Sequence, residues 1–275
     1  MLVTTEAIVL HSRKQGETSR IVVLYTRQFG KVSVMAKGVR EMKSKFGGAL
    51  EGFVRSTVVF YHKNERPGLY LLSKAETLDS HAKLLNTLEQ IEAATSVVEL
   101  IAAAMHDEEE NDPIFDLLSS TLDQLAAAPK EAVPAILFAF FMQFSHRSGF
   151  QLSLRESDHV EQSSTAQVRE FNTRIIFSVK TGEFVERIVQ VDEAKGRNLA
   201  GLLSEVLRND EVLVLPESLE ALRVLEAASV EDAASIRLSQ RAIDNLMEIF
   251  RAYFAEHVAG LTSRSLKSGK VFSSL

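Results

Sequence analysis

The sequence of 275 residues contains no cysteine, which excludes a disulfide framework, a thiol nucleophile and a cysteine-ligated zinc site. It also lacks any run of about 18 apolar residues, the length a membrane-spanning helix needs. The opening MLVTTEAIVLHSRK has no charged region followed by an apolar core, so no secretory leader is expected and the protein is read as cytoplasmic. Missing too are a Walker GxxxxGK[ST] loop, a Rossmann glycine fingerprint, a GxSxG elbow and a metal-binding HExxH helix. The seven histidines are scattered. Nothing supplies a nucleophile, an acid/base pair, a metal or a cofactor, so no catalytic residue and no cofactor is expected. Distant carboxylates brought together by folding are the one enzymatic arrangement left open.

What is present is apolar material, 45% of the residues, ample for a sizeable core in one large or two smaller domains. The formal net charge of −6 is unevenly spread. Residues 1–80 hold 13 Lys+Arg and 7 Asp+Glu, net +6, whereas residues 81–275 hold 18 and 30, net −12. A basic module is tied to an acidic one, and a local basic surface is what a polyanion would meet.

The basic part reads as strands. Val3–Ser12, Arg20–Arg27, Lys31–Lys37, Gly52–His62 and Gly68–Ala75 are short, β-branched and partly alternating, separated by turns at Gly16, at Gln28-Phe29-Gly30 and at Asn64 to Pro67. Five short strands within about 75 residues fit a small closed barrel of the oligonucleotide-binding (OB) kind. An SH3-like barrel competes, and strand counting does not separate the two. Between the third and fourth strands, Lys37, Arg40, Lys43 and Lys45 put four cations into nine residues. Such a loop either contacts phosphates or is simply solvated.

After Asp79-Ser80 the apolar period changes from 2 to 3.6, predicting a long helix from about Ser80 to Met105 capped by Asp79 or Ser80. The acidic run Asp107 to Asp112 ends at Pro113, the pattern of an N-cap followed by a helix-opening proline. Its unbroken carboxylates lack the alternating spacing of a calcium loop, so a solvated stretch is expected rather than a metal site. Ala132–Ser148 is apolar nearly all round and is read as the buried central helix, with Phe138, Phe140, Phe141 and Phe144 as packing. A hairpin follows at Ile175–Val179 and Phe184–Val189, around Thr181-Gly182, then helices at Leu199–Leu207, Glu217–Leu225 and Ile236–His257. The fold class expected is α+β: a barrel over residues 1–80 and a mainly helical domain over 81–275 carrying a small hairpin insertion. The tail from Ser263 is basic again through Arg264, Lys267 and Lys270, and reads as a second DNA contact or as a frayed end.

GETSRIV, Phe29-Gly30-Lys31-Val32, Ala36-Lys37-Gly38-Val39-Arg40 and Ser44-Lys45-Phe46-Gly47 resemble the amino-terminal signature of the bacterial recombination mediator family RecO. Thr5-Glu6-Ala7-Ile8-Val9-Leu10 and Leu266-Lys267-Ser268 are similar to it too. The resemblance implies an OB barrel joined to a helical domain and a nonenzymatic role in recombinational DNA repair. It further implies binding of single- and double-stranded DNA, strand annealing, loading of RecA onto SSB-coated strands, and contacts with RecR and the acidic SSB carboxyl-terminal tail. A cytoplasmic, nucleoid-associated protein is expected on this basis.

The candidate phosphate contacts are Arg13, Lys14, Arg20, Lys31, Lys37, Arg40, Lys43 and Lys45. Phe46, beside Gly47 and Gly48, is the candidate base-stacking ring or, alternatively, a plug for the barrel. Gly149-Phe150 resembles the end of a family helix after which many members carry four zinc-binding cysteines. Here residues 151–195 offer only His159 as a nitrogen ligand, so the segment is read as replacing the zinc region. Two other functions stay open: a protein-interaction adaptor working through its helical surface, and an RNA-binding barrel that uses the 2′-hydroxyl.

Overall fold

Apolar alternation in the basic part becomes five strands: β1 (Leu2–Gln15), β2 (Ser19–Thr26), β3 (Gly30–Ala36), β4 (Arg55–Tyr61) and β5 (Leu69–Asp79). The computed structural model describes residues 1–41, 44–62, 68–149, 152, 154, 172–189, 207–259 and 261. The strands close into a barrel in the order β1-β2-β3-β5-β4, with β3 and β5 parallel. A simple meander would have set β3 beside β4; here β5 inserts between them, and the barrel is of the OB type. Val3, Ala7, Val9, Val22, Leu24, Val32, Val34, Val58, Phe60 and Leu72 fill its interior. The predicted turn at Asn64 to Pro67 lies outside the described residues.

A β-bulge between Val9 and His11 sets the outer surface of β1. The extra residue, Leu10, shifts the alternation by one position. Arg13, opposite the outward Ile21, therefore stands on the outer face. Before the bulge, Ile8 is outward and buried; with Leu10 and Tyr25 of β2 it joins the core of the helical part, not that of the barrel.

The helices are α1 (Leu88–Ala104), α2 (Asp112–Ala127), α3 (Val133–Arg147), α4 (Pro216–Ala227), the short α5 (Val230–Ala233) and α6 (Gln240–His257). Phe138, Phe140, Phe141 and Phe144 of α3 are fully buried, and Phe141 meets Phe250 and Phe254 of α6 at 5.3 Å each between ring centroids. The strands β6 (Asn172–Ser178) and β7 (Glu183–Val189) form the expected hairpin. A third strand, β8 (Glu211–Val214), pairs with β6 on its other side. Four residues are too short to show a period, and no strand was expected there. The predicted helix at Leu199–Leu207 lies almost wholly outside the described residues.

The long helix expected from Ser80 is two pieces. A 3-10 turn (Ala82–Leu85) precedes α1, whose cap is Thr87, accepting from the Gln90 amide at 3.2 Å. The break lies at Thr87, whose backbone is extended, and His81 precedes both pieces. The φ of His81 is 45°, its amide donates to Asp79 Oδ1, and its buried ring meets the Phe53 carbonyl at 2.8 Å and Asp123 Oδ1 at 2.9 Å. These bonds tie the barrel's β3–β4 connection to α2 through one side chain. At the start of α2 the cap is Asn111, one residue before the expected Asp112, because its Oδ1 accepts the Ile114 amide at 3.1 Å. Asp112 instead faces Arg27, the residue after β2, at 3.6 Å.

The acidic run between α1 and α2 is a strap across one end of the barrel. Lys31 and Asp107 form a parallel bridge, and the Glu108 amide donates to the Lys31 carbonyl at 3.0 Å. Glu108, with φ 60°, accepts bonds from the Tyr70 hydroxyl and the Gly68 amide and lies 3.8 Å from His62. Gly30 makes this approach feasible: its φ is 56°, and a Cβ there would lie 2.1 Å from the Glu109 carbonyl oxygen. Gly30→Ala is expected to destabilise the chain by on the order of 2 kcal/mol or more. The measurement is a urea titration, in which the midpoint should fall without a change in slope; an unchanged midpoint would mean that the strap does not bear on the barrel.

Candidate nucleic-acid interface

Strand register brings the basic residues to the barrel end opposite the strap. Lys14 pairs with Arg20 across β1 and β2, and Arg20 with Ala36 across β2 and β3, which sets Lys37 beside them. The loop after β3 is stitched to the turn after β1 by Arg40: its amide donates to the Thr18 carbonyl at 3.0 Å, and its guanidinium to the Glu17 carbonyl at 2.8 Å. The basic loop is thereby held against the ends of β1 and β2, which carry Lys14 and Arg20.

Among the described residues, no carboxylate pairs with the exposed Arg13, Lys14, Lys37, Arg40 or Lys45. Arg20 is different, lying 3.1 Å from Glu51. Lys31 does not join the basic end. Its ammonium donates to the Ala102 carbonyl at 2.8 Å and faces Asp107 at 3.4 Å, so it ties the barrel to the helices. Lys43 lies outside the described residues.

Phe46 corrects the stacking expectation. It is only 3% exposed and packs with Ala49 and Leu50 as the plug of the barrel's interior, so its ring has no face free for a base. The Lys45 ammonium sits 5.0 Å from that ring, a cation–π contact covering the plug from outside. Gly47-Gly48 marked a turn correctly, but turn glycines do not say which way a neighbouring ring points.

Over the outer face of β2 and β3 runs a groove of about 280 Å³, lined by Arg13, Ile21, Lys31, Ser33 and Leu69 on one side and Asp107 and Glu108 on the other. One wall carries cations and the other is the acidic strap. His11 lies close by, and partial burial, then Lys31 and Arg13, hold its imidazole below the usual 6.5. It is accordingly neutral at pH 7. Burial and the bond to Glu108 push the Tyr70 hydroxyl up. The strap's contacts with Lys31, Tyr70 and His62 had no signal in the sequence beyond the acidic run itself.

The amino-terminal part matches the family model "Recombination protein O N terminal" over residues 1–81, and the remainder matches "Recombination protein O C terminal" over 85–267. The chain belongs to the RecO family. A DNA repair protein RecO of Chloroherpeton thalassium is 25% identical over 275 residues, 100% of this chain and 99% of that one. One from Geobacter metallireducens is 31% identical over 250 residues, covering 88% and 94%, and one from Salinibacter ruber is 41% identical over 127 residues, 46% and 48%. RecO family membership supports a role in DNA repair and recombination. The four-cysteine zinc site of many RecO proteins does not fit this chain, which has no cysteine to supply thiolates. Most of residues 151–195, and the basic tail with Arg264, Lys267 and Lys270, lie outside the described residues. No helix among the described residues is long and apolar enough to cross a membrane.

Asp79, His81 and Asp123 form the one group of three metal-capable side chains among the described residues. Both ring nitrogens of His81 are already hydrogen-bonded, which makes the group a lock between barrel and helices.

Proposed function

We propose that the chain is a nonenzymatic recombination mediator, with the barrel of residues 1–80 as its DNA-binding domain and residues 81–275 as a helical partner-binding domain. The supporting observation is the clustering of Lys14, Lys37, Arg40 and Lys45 at one barrel end by strand register and by the Arg40 stitch. Phosphates of single- or double-stranded DNA neutralise this surface, and the base edges stay free to pair. Holding two strands in that way promotes annealing. The net −12 of residues 81–275 repels DNA and confines it to the barrel. With RecR, the protein would help load RecA onto SSB-coated strands.

The reading competes with RNA binding, which matched RNA and DNA oligonucleotides separate. The helical part gives the adaptor reading a specific feature. A cavity of about 250 Å³ is lined by Met142, Gln143, His146, Arg147, Leu152 and Glu226, a notch in which the apolar Met142 and Leu152 lie beside the Arg147 guanidinium, with one carboxylate at Glu226. An acidic peptide with an apolar end, as in the SSB tail, suits such a notch. His146→Glu should weaken an SSB-tail peptide, read by fluorescence anisotropy, and leave DNA affinity unchanged; equal peptide affinity for both proteins would remove the notch from consideration.

For the DNA surface, Lys37→Ala with Lys45→Ala in the full chain should lower the salt slope of single-strand binding by about 1.4, since each phosphate contact contributes about 0.7. Affinity should fall alike for dissimilar base sequences, because phosphates carry no sequence code. Binding constants at several salt concentrations, with the thermal transition as a control, check this. An unchanged slope in a folded variant would make these lysines a solvated loop.

A further inference from the structure

The outer face of the barrel carries an apolar row that the phosphate contacts leave unused. Following direct partners round the barrel, Leu2 of β1 lies opposite Tyr61 of β4, Tyr61 opposite Leu71 of β5, Leu71 opposite Met35 of β3, Met35 opposite Ile21 of β2, and Ile21 opposite Arg13 of β1. Directly opposite residues share a face, so these six side chains form one continuous ridge running across the strands. It returns to β1 at Arg13 and not at Leu2, because the strands of a barrel are staggered. Three strand spacings of about 4.8 Å separate Leu2 from Met35, giving an apolar track of roughly 14 Å.

The track is open. Leu2 is 55% exposed, Tyr61 50% and Leu71 39%, with Leu69 beside them at 48%. Among the described residues Tyr61 is the only tyrosine or phenylalanine that stands out in solvent; the others are buried or half-buried. Charge identifies the occupant. The row contains no carboxylate, it ends in the cation of Arg13, and the exposed Lys37 stands just beyond the end of β3, two positions after Met35. An exposed ring on an apolar floor, running into a cationic end, is the arrangement that receives unpaired bases and their phosphates.

We infer that Leu2, Tyr61, Leu71 and Met35 are the base-contacting track of single-stranded DNA, with Tyr61 stacking on a base and the strand's phosphates leading to Arg13 and Lys37. This rests on the proposed DNA-binding reading and names the part of the barrel that meets bases. Duplex DNA presents no free base face to such a track, so Tyr61 distinguishes single strands from duplex.

The test uses the full chain and an oligo(dT) strand. Tyr61→Phe should bind as tightly as the wild type, whereas Tyr61→Leu, which keeps apolar bulk and loses the ring, should bind about tenfold more weakly. Duplex affinity should be equal in all three proteins. The chain has no tryptophan, so Tyr61→Trp places one reporter on the track, and oligo(dT) should quench its fluorescence. Wild-type affinity for oligo(dT) in Tyr61→Leu, with an unquenched tryptophan, overturns the track and leaves the phosphate surface standing. A monomer–dimer shift in Tyr61→Leu by sedimentation, with DNA affinity intact, also overturns it and makes the row a contact between copies. Failure of the wild-type chain to bind any oligonucleotide overturns both the track and the reading beneath it.

Discussion

The structure depends on the burial of one outer face of the barrel against the helices. Ile8, Leu10 and Tyr25 point away from the barrel's interior into the core formed by α1, α2 and α3. Tyr25 stacks on Phe115 of α2 at 6.3 Å, and Arg27 lies over the same ring at 4.4 Å while reaching Asp116 at 2.8 Å. Each such apolar side chain contributes about 1.5–3 kcal/mol when removed from water. A small barrel severed from the helices would expose all three, so its function is better read from point variants of the whole chain.

That docking sorts the charges. At the docked end, Lys31 and Arg27 meet Asp107 and Asp116, and His62 lies beside Glu108, so two of the barrel's cations go into joining the domains. At the far end Lys14, Lys37, Arg40 and Lys45 remain facing solvent. The chain's total charge conceals this, because the acidic residues that balance the barrel include the strap, which itself covers one wall of the groove over β2 and β3. The bulge at Leu10 serves both ends: it buries Leu10 against the helices and turns Arg13 outward.

The barrel was largely legible in the sequence because its strands alternate, and the central helix because Ala132–Ser148 has no polar face. Contacts between segments distant in sequence were not legible. A 3.6-residue period runs through Thr87 in the sequence, yet the backbone there is extended and its hydroxyl caps α1; nor does the pattern show that the His81 ring bonds Phe53 and Asp123, which come from distant segments. The same holds for cations: Lys31 and Lys37 look alike along β3, and what separates them is a strap about seventy positions away in sequence. The aromatic rings of the barrel were not sorted by the sequence. A ring beside two glycines was a candidate for stacking and proved to be the plug, whereas the exposed Tyr61 ring, at the end of an apolar strand, had no signal that singled it out.

The division between docking lysines and free lysines is tested most directly by lysine acetylation read by mass spectrometry, with and without a single-stranded oligonucleotide. Lys14, Lys37 and Lys45 should react freely in the protein alone and become protected by DNA, while Lys31, whose side chain is 17% exposed, should react slowly in both states. Lys130 and Lys180, in the helical part, should react equally with and without DNA. Protection at Lys130 or Lys180 with no change at Lys37 and Lys45 would contradict the assignment of the basic barrel end as the polyanion surface.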